Sequence, residues 1–255
     1  MSILDGAQRV LSLYAAGAAE LSFTEVAARL AMPKSTASRL LNQMQNYGLL
    51  DQDAATRRYR PGALLAQAVR AGMAATPLDE ACRGVLARLS DDSGLTAYLS
   101  TLNQRETVVL QRLNGLLPVQ VLSPPGSRRA ASGTAMGRAL LSRLTDAEFE
   151  ALYGADPAQP LPVEGRDCPA TVGDLARLVA QIRADQCAVA IDQAMPGIGA
   201  VAAAVRDPAT GDLRGLCLSF VSFQADAARV AVLRESVLQQ VGALGRELND
   251  PYWLN

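Results

Sequence analysis

The chain has 255 residues, 49 % apolar and 19 % charged, with a net charge of −1; this is the composition of a folded globular protein, not a disordered one. It has no histidine, which excludes Ser-His-Asp triads, Cys-His dyads and histidine-based zinc sites. No run reaches the roughly 18 apolar residues of a membrane span, and Met1-Ser2-Ile3-Leu4-Asp5 lacks a basic stretch leading into an apolar core. The expectation is a cytoplasmic protein, with Cys82, Cys168, Cys187 and Cys217, none in a C-x-x-C pair, as free and mostly buried thiols. Neither a metal nor a cofactor is expected.

The first predicted helix covers residues 3–15, with Ile3, Leu4, Ala7, Val10, Leu11 and Tyr14 at helical spacing and Gly17 behind it. Ser22-Phe23-Thr24-Glu25 forms a capping box for a second helix, whose apolar face is Val26, Ala27, Leu30 and Ala31. Met32-Pro33 breaks it. A third helix over 34–47 closes at Gly48 and turns Ala37, Leu40, Leu41 and Met44 inward. Its outward face carries Ser35, Thr36, Ser38, Arg39, Asn42 and Gln43, with Lys34 at its start. Short hydroxyls and amides around a guanidinium reach phosphates and base edges in a major groove. Two helices joined by a tight turn make a helix-turn-helix.

Residues 49–52 and 57–60 read as extended runs around the turn 53–56, a hairpin wing with Arg57 and Arg58 near its tip. Residues 29–60 hold six basic side chains against two acidic ones, a local charge of +4, leaving −5 for the rest. A plain helical hairpin with a solvated polar face is the alternative; helix-turn-helix, wing and charge together favour the nucleic-acid reading.

Residues 63–75 are expected to form a linker helix after a winged domain at 1–62, with a second domain at 76–255. Thr76-Pro77 with Asp79 and Glu80 starts a new helix running to about 89. Strands are predicted at 95–102, 107–113, 117–122, 188–191, 200–205 and 213–221, and helices at 134–143, 146–153, 172–184 and 225–248. Hairpins flanked by helices give an α+β fold with a mainly antiparallel sheet.

Ser132-Gly133-Thr134-Ala135-Met136-Gly137 is small, glycine-rich and opens a helix, so its free amides suit a carboxylate; a tightly packed helix start is the alternative. Gly197-Ile198-Gly199-Ala200-Val201-Ala202 fits a dinucleotide-binding pattern, but residues 201–205 read as a strand where that motif needs a helix, so the reading is rejected.

The chain resembles the IclR family of bacterial transcription regulators. The resemblance rests on residues 23–27, on Met32-Pro33-Lys34-Ser35-Thr36-Ala37-Ser38-Arg39-Leu40-Leu41, on Tyr47-Gly48-Leu49-Leu50 with Tyr59-Arg60-Pro61-Gly62, and on residues 133–141 and 197–205. It implies a GAF-like second domain that binds a small organic acid effector. It also implies a homodimer or dimer of dimers whose affinity for a pseudo-palindromic operator in double-stranded DNA changes with that effector. Lys34, Ser35, Thr36, Ser38, Arg39, Gln43, Arg57 and Arg58 are the expected DNA contacts. The resemblance places the effector against Gly133, Thr134, Ala135, Met136 and Gly137, and against Asp192, Ile198, Ala200, Cys217 and Ser219.

Cys217 and Ser219 lie two apart on one strand and so face one side; core packing is the other reading for Cys217. Arg129 stands where the family usually has an apolar residue, either clamping a carboxylate bidentately or solvated in a loop. Tyr98 either stacks on an aromatic acid or fills core. Two rivals stand beside the regulator: an enzyme built on Cys217 or Asp192, disfavoured by the missing histidine, and a winged protein-interaction module.

Overall fold

The computed structural model describes residues 3–15, 17–72, 76–116, 123–163, 165 and 167–254. The strand expected at 117–122 and the end of the expected linker, 73–75, lie outside them. The chain divides into two units, Met1–Thr76 and Pro77–Asn255.

The first unit runs α1 (Ile3–Ala15), α2 (Phe23–Arg29), α3 (Lys34–Asn46), β1 (Leu50–Gln52), β2 (Tyr59–Pro61) and α4 (Ala63–Gly72). The expected capping box forms: the Glu25 amide donates to Ser22 Oγ and the Ser22 amide to Glu25 Oε2. Val10, Leu21, Val26, Ala37, Leu41, Met44 and Leu50 close a core in which each large side chain contributes about 2 kcal/mol by leaving water. Arg9 adds a bond to the Leu30 carbonyl, tying α1 to the end of α2. β1 and β2 pair antiparallel with Asp51 opposite Arg60. Tyr59 locks the wing to the helices: it bridges Leu21 through backbone bonds and donates its hydroxyl to Asn42 at 3.0 Å. Asn42, read as outward-facing, is therefore engaged with the wing.

The second unit runs α5 (Pro77–Ser93), β3 (Thr96–Asn103), β4 (Glu106–Leu113), β5 (Arg128–Ala130), a 3-10 turn (Ala131–Gly133), α6 (Ala135–Leu141), α7 (Asp146–Tyr153), α8 (Val172–Asp185), β6 (Ala188–Ile191), β7 (Ile198–Arg206), β8 (Leu213–Val221), a 3-10 turn (Ser222–Gln224), α9 (Ala227–Glu247) and a 3-10 turn (Pro251–Trp253). The six strands form one antiparallel sheet in the order β5-β4-β3-β8-β7-β6. Strand alternation sorts its two faces. Leu99, Val201, Ala203, Leu216, Leu218 and Phe220 pack with α5 and α9. Tyr98, Ala202, Ala204 and Cys217 pack with α6 and α8.

Two features anchor the chain end. Trp253 donates its indole N–H to the Ala204 carbonyl at 3.1 Å and lies against Gly242 and Gly245, where a Cβ would come within 3.0 and 2.2 Å of the ring. Asp250 accepts two hydrogen bonds from Arg143 at 2.5 and 2.7 Å and one each from the amides of Arg206 and Tyr252. Among the described residues no helix is long and apolar enough to cross a membrane.

Candidate functional site

Two surfaces carry the expected site residues. On α3, Lys34, Ser35 and Arg39 are exposed, and Thr36, Ser38 and Gln43 are half-buried beside them. Ala37, Leu40, Leu41 and Met44 fill the core beneath. No ion pair ties Lys34 or Arg39 down among the described residues. On the wing, Asp53 organises the turn by accepting from the amides of Ala55 and Thr56 and from the Thr56 hydroxyl. Arg57 sits exposed at the tip with φ +56.

Arg58 differs from its expected role. Its guanidinium turns back to Glu25, with Nη2 donating at 2.7 and 3.0 Å, and to the Glu20 carbonyl at 3.2 Å. Its charge is compensated within the unit, so it braces the wing against α2. The Ser22 amide, then the Arg58 guanidinium, hold the Glu25 carboxyl down at about 2.

The second surface is a cavity over the α6 face of the sheet, with about 750 Å³ of empty space including its open mouth. Of the expected effector residues, Tyr98, Arg129, Thr134, Ala135, Met136, Ile198, Ala200, Cys217 and Ser219 line it. Their strand-borne members follow the i, i+2 rule across the sheet: Tyr98 on β3, Ile198 and Ala200 on β7, Cys217 and Ser219 on β8.

Three expected residues are placed elsewhere. Gly133 is buried in the 3-10 turn before α6 and does not line the cavity. The Gly137 amide donates to Thr134 Oγ1 at 2.9 Å, so it is already satisfied by the helix cap. Its missing side chain serves packing, since a Cβ there would lie 2.2 Å from the Ala131 carbonyl oxygen. Asp192 is not among the lining residues; it accepts from the Gly197 amide at 2.7 Å and the Ser222 hydroxyl at 2.8 Å, and so fixes the β6–β7 connection.

The structure adds lining residues that no motif marked. Ser100, Thr107 and Val109 come from β3 and β4, Ser123 and Ser127 from the segment before β5, and Ala190, Ala194 and Met195 from β6 and the loop behind it. Period-two alternation from Tyr98 reaches Ser100, but only the sheet order brings β4 and β6 to the same hollow. A further residue, Arg138 on α6, is only 2 % exposed. It donates to the Ser132 carbonyl at 3.3 Å and to the Gln193 side chain, pinning the loop that carries Ala194 and Met195. Burial pushes its pKa down.

Chemically the cavity walls offer hydroxyls, apolar groups, a thiol, a phenol and one guanidinium. Burial pushes the Cys217 thiol up to about 12 and raises the Tyr98 phenol as well, so both stay neutral. No carboxylate lines the cavity among the described residues, and none of those residues form a cluster of three metal-ligating side chains.

A winged helix-turn-helix unit followed by an antiparallel sheet with a ligand-sized hollow is the build of a DNA-binding regulator. The chain belongs to the IclR family of bacterial transcriptional regulators: the model of the IclR C-terminal domain matches residues 71–246 and that of the IclR helix-turn-helix domain residues 4–54. The HTH-type transcriptional regulator XynR of Escherichia coli is 29 % identical over 252 residues, 97 % of each chain. Among solved structures, the Thermotoga maritima IclR superposes with a TM-score of 0.76 at 18 % identity, covering 96 % of this chain and 98 % of its own. An IclR homologue from Microbacterium hydrocarbonoxydans complexed with 4-hydroxybenzoate gives 0.74 at 22 % identity, covering 96 % and 100 %. The related proteins are regulators, not enzymes.

Proposed function

We propose that this regulator binds a specific duplex through α3 and the wing tip, and that a small organic acid in the sheet cavity alters its affinity for that duplex. The observation that carries the reading is the cavity itself: ligand-sized, open at its mouth, and walled by hydroxyls and one cation, in the unit that follows a DNA-binding domain. The Microbacterium homologue, with its bound 4-hydroxybenzoate, supports an acid as ligand. Lys34, Ser35, Thr36, Ser38, Arg39 and Gln43 read or position the duplex, and Arg57 holds its backbone.

The protein acts as a homodimer or a dimer of dimers, and two-fold symmetry then calls for a pseudo-palindromic operator. An acid changes DNA affinity only by binding the DNA-competent and incompetent states unequally.

Selection of bound duplexes from a random library tests the reading. An inverted repeat should emerge, and Arg39→Ala should lose it while melting at an unchanged temperature. Retained operator affinity in that variant would remove α3 as the reading element. A melting-point screen of carboxylates, including 4-hydroxybenzoate, tests the cavity, because a ligand preferring the folded state raises the transition. Sedimentation of the free and operator-bound protein gives the oligomeric state.

A further inference from the structure

We infer that the cavity takes a monocarboxylate with a compact apolar tail, bound with its carboxylate on Arg129 and its tail over β7 and β6. This rests on the reading of the cavity as an acid-binding site and adds the ligand's class and direction.

The walls are zoned across the sheet. At the β5-β4-β3 end stand Arg129, Thr107, Ser100 and Ser127, with Val109 the apolar residue among them; at the β7-β6 end stand Ile198, Ala200, Ala190, Ala194 and Met195, with no polar side chain among the latter. Between the two ends β8 carries Cys217 and Ser219, the latter opposite Ala200. Strands are spaced about 4.8 Å, so β4 and β7 are roughly 14 Å apart. The hollow's empty space of about 750 Å³, its open mouth included, accommodates one ring or a short branched chain.

The polar end is short of partners. Arg128 is paired with Glu106 at 2.9 Å. Arg129, one residue on, is half-buried at the cavity wall, and its guanidinium has neither an acid nor a hydrogen-bond acceptor among the described residues. Ser100, 1 % exposed, lines the cavity beside it. A guanidinium with no acid to answer it, facing a hollow beside a hydroxyl, marks where an anion fits. A guanidinium binds a carboxylate through two parallel hydrogen bonds.

The start of α6 is a poorer anchor: the seven-residue helix is capped by its own Thr134, which takes the Gly137 amide. The apolar end selects against other acids. A second carboxylate would be desolvated there without a cation, and the hydroxyls of a sugar acid would be buried without partners.

The test uses the full chain and isothermal titration with benzoate, phenylacetate and isovalerate, their neutral amides, and succinate and gluconate. At least one apolar monocarboxylate should bind, its amide at least tenfold more weakly, and succinate and gluconate more weakly still. Arg129→Met should lower affinity for the bound acid at least tenfold, Arg129→Lys should restore part of it, and Arg128→Met should leave it unchanged. Melting curves check that each variant folds, and the lysine variant serves if the methionine one does not. Equal affinity for the acid in wild type and Arg129→Met would overturn the carboxylate anchor and leave an acid-binding cavity standing. Preference for succinate or gluconate would overturn the apolar tail alone. Binding of no acid at all would overturn both this inference and the reading beneath it.

Discussion

Arg58 on the wing and Glu25 on α2 meet at 2.7 Å, and the same carboxylate closes the α2 capping box. The pair divides the two wing arginines by role. In binding to a random-sequence duplex at varied salt, Arg57→Ala should reduce the slope of log affinity against log salt by about one, the loss of a single phosphate contact. Arg58→Ala should reduce it less, because its charge is already answered within the unit. Equal reductions would contradict this division.

The same carboxylate sets an acid dependence. Glu25 is held at about 2, below its ordinary 4.5. Its contribution is present above the unfolded value and is lost as pH falls through about 2. The difference in urea midpoint between wild type and Glu25→Gln should therefore narrow steadily below pH 4.5; a difference independent of pH would show that the carboxylate has no such role.

Gly137 should not tolerate a methyl group. Backbone atoms of Ala131 lie 2.2 to 2.6 Å from where its Cβ would be, and neither the 3-10 turn nor α6 can yield cheaply. Gly137→Ala should cost about 1–3 kcal/mol in urea unfolding. At Gly94, φ is +70 with nothing near the Cβ position, so the cost of alanine there is backbone strain alone, about 1 kcal/mol.

Asp250 is a buried anion whose main charge partner is equally hidden, with side-chain exposures of 2 % and 8 % for Asp250 and Arg143. Asp250→Ala strands Arg143 beneath the Tyr252 ring, 3.8 Å from its guanidinium, and frees the Arg206 and Tyr252 amides. A loss of about 3–5 kcal/mol is expected, read as a lowered denaturant midpoint. A change under 1 kcal/mol would mean that water fills the gap.

Cys82, Cys187 and Cys217 are each pushed up by burial to about 12, from an ordinary 9. A raised folded-state value means full stability below pH 9 and a decline as pH climbs towards 12, since the unfolded chain ionises first. The urea midpoint should fall over that range, and less steeply in Cys217→Val. Native protein at pH 8 should react with a thiol reagent at Cys168 far faster than at the other three, because Cys168 alone is partly exposed; comparable rates at all four would refute the burial argument.

The helix-turn-helix was legible because local rules fix it: α1 spans Ile3–Ala15 as its apolar spacing required, and Ser22 with Glu25 announced α2. The long strands were legible from alternation, and the α+β class with them. β5 was missed because its three residues are two arginines and an alanine, with no apolar period to detect. The fate of Arg58 and Asp192 was hidden for another reason: Glu25 is 33 residues from Arg58, and Ser222 is 30 from Asp192, which also takes the nearby Gly197 amide, and no local pattern reports a long-range hydrogen bond. The cavity was half visible. Motifs marked the β7, β8 and α6 walls, whereas Ser100, Thr107 and Ala190 joined them only through the order of strands in the sheet.

The cavity's ionisable walls are the Arg129 guanidinium and a phenol and a thiol held neutral by burial. With no imidazole anywhere in the chain, mild acidification leaves the charge of those walls untouched. The ligand's own ionisation, not the protein's, would then decide how occupancy follows the acidity of the surroundings. Should the proposed acid bind there, its occupancy would follow the concentration of the anion and not the protons that would retune a histidine-lined cavity.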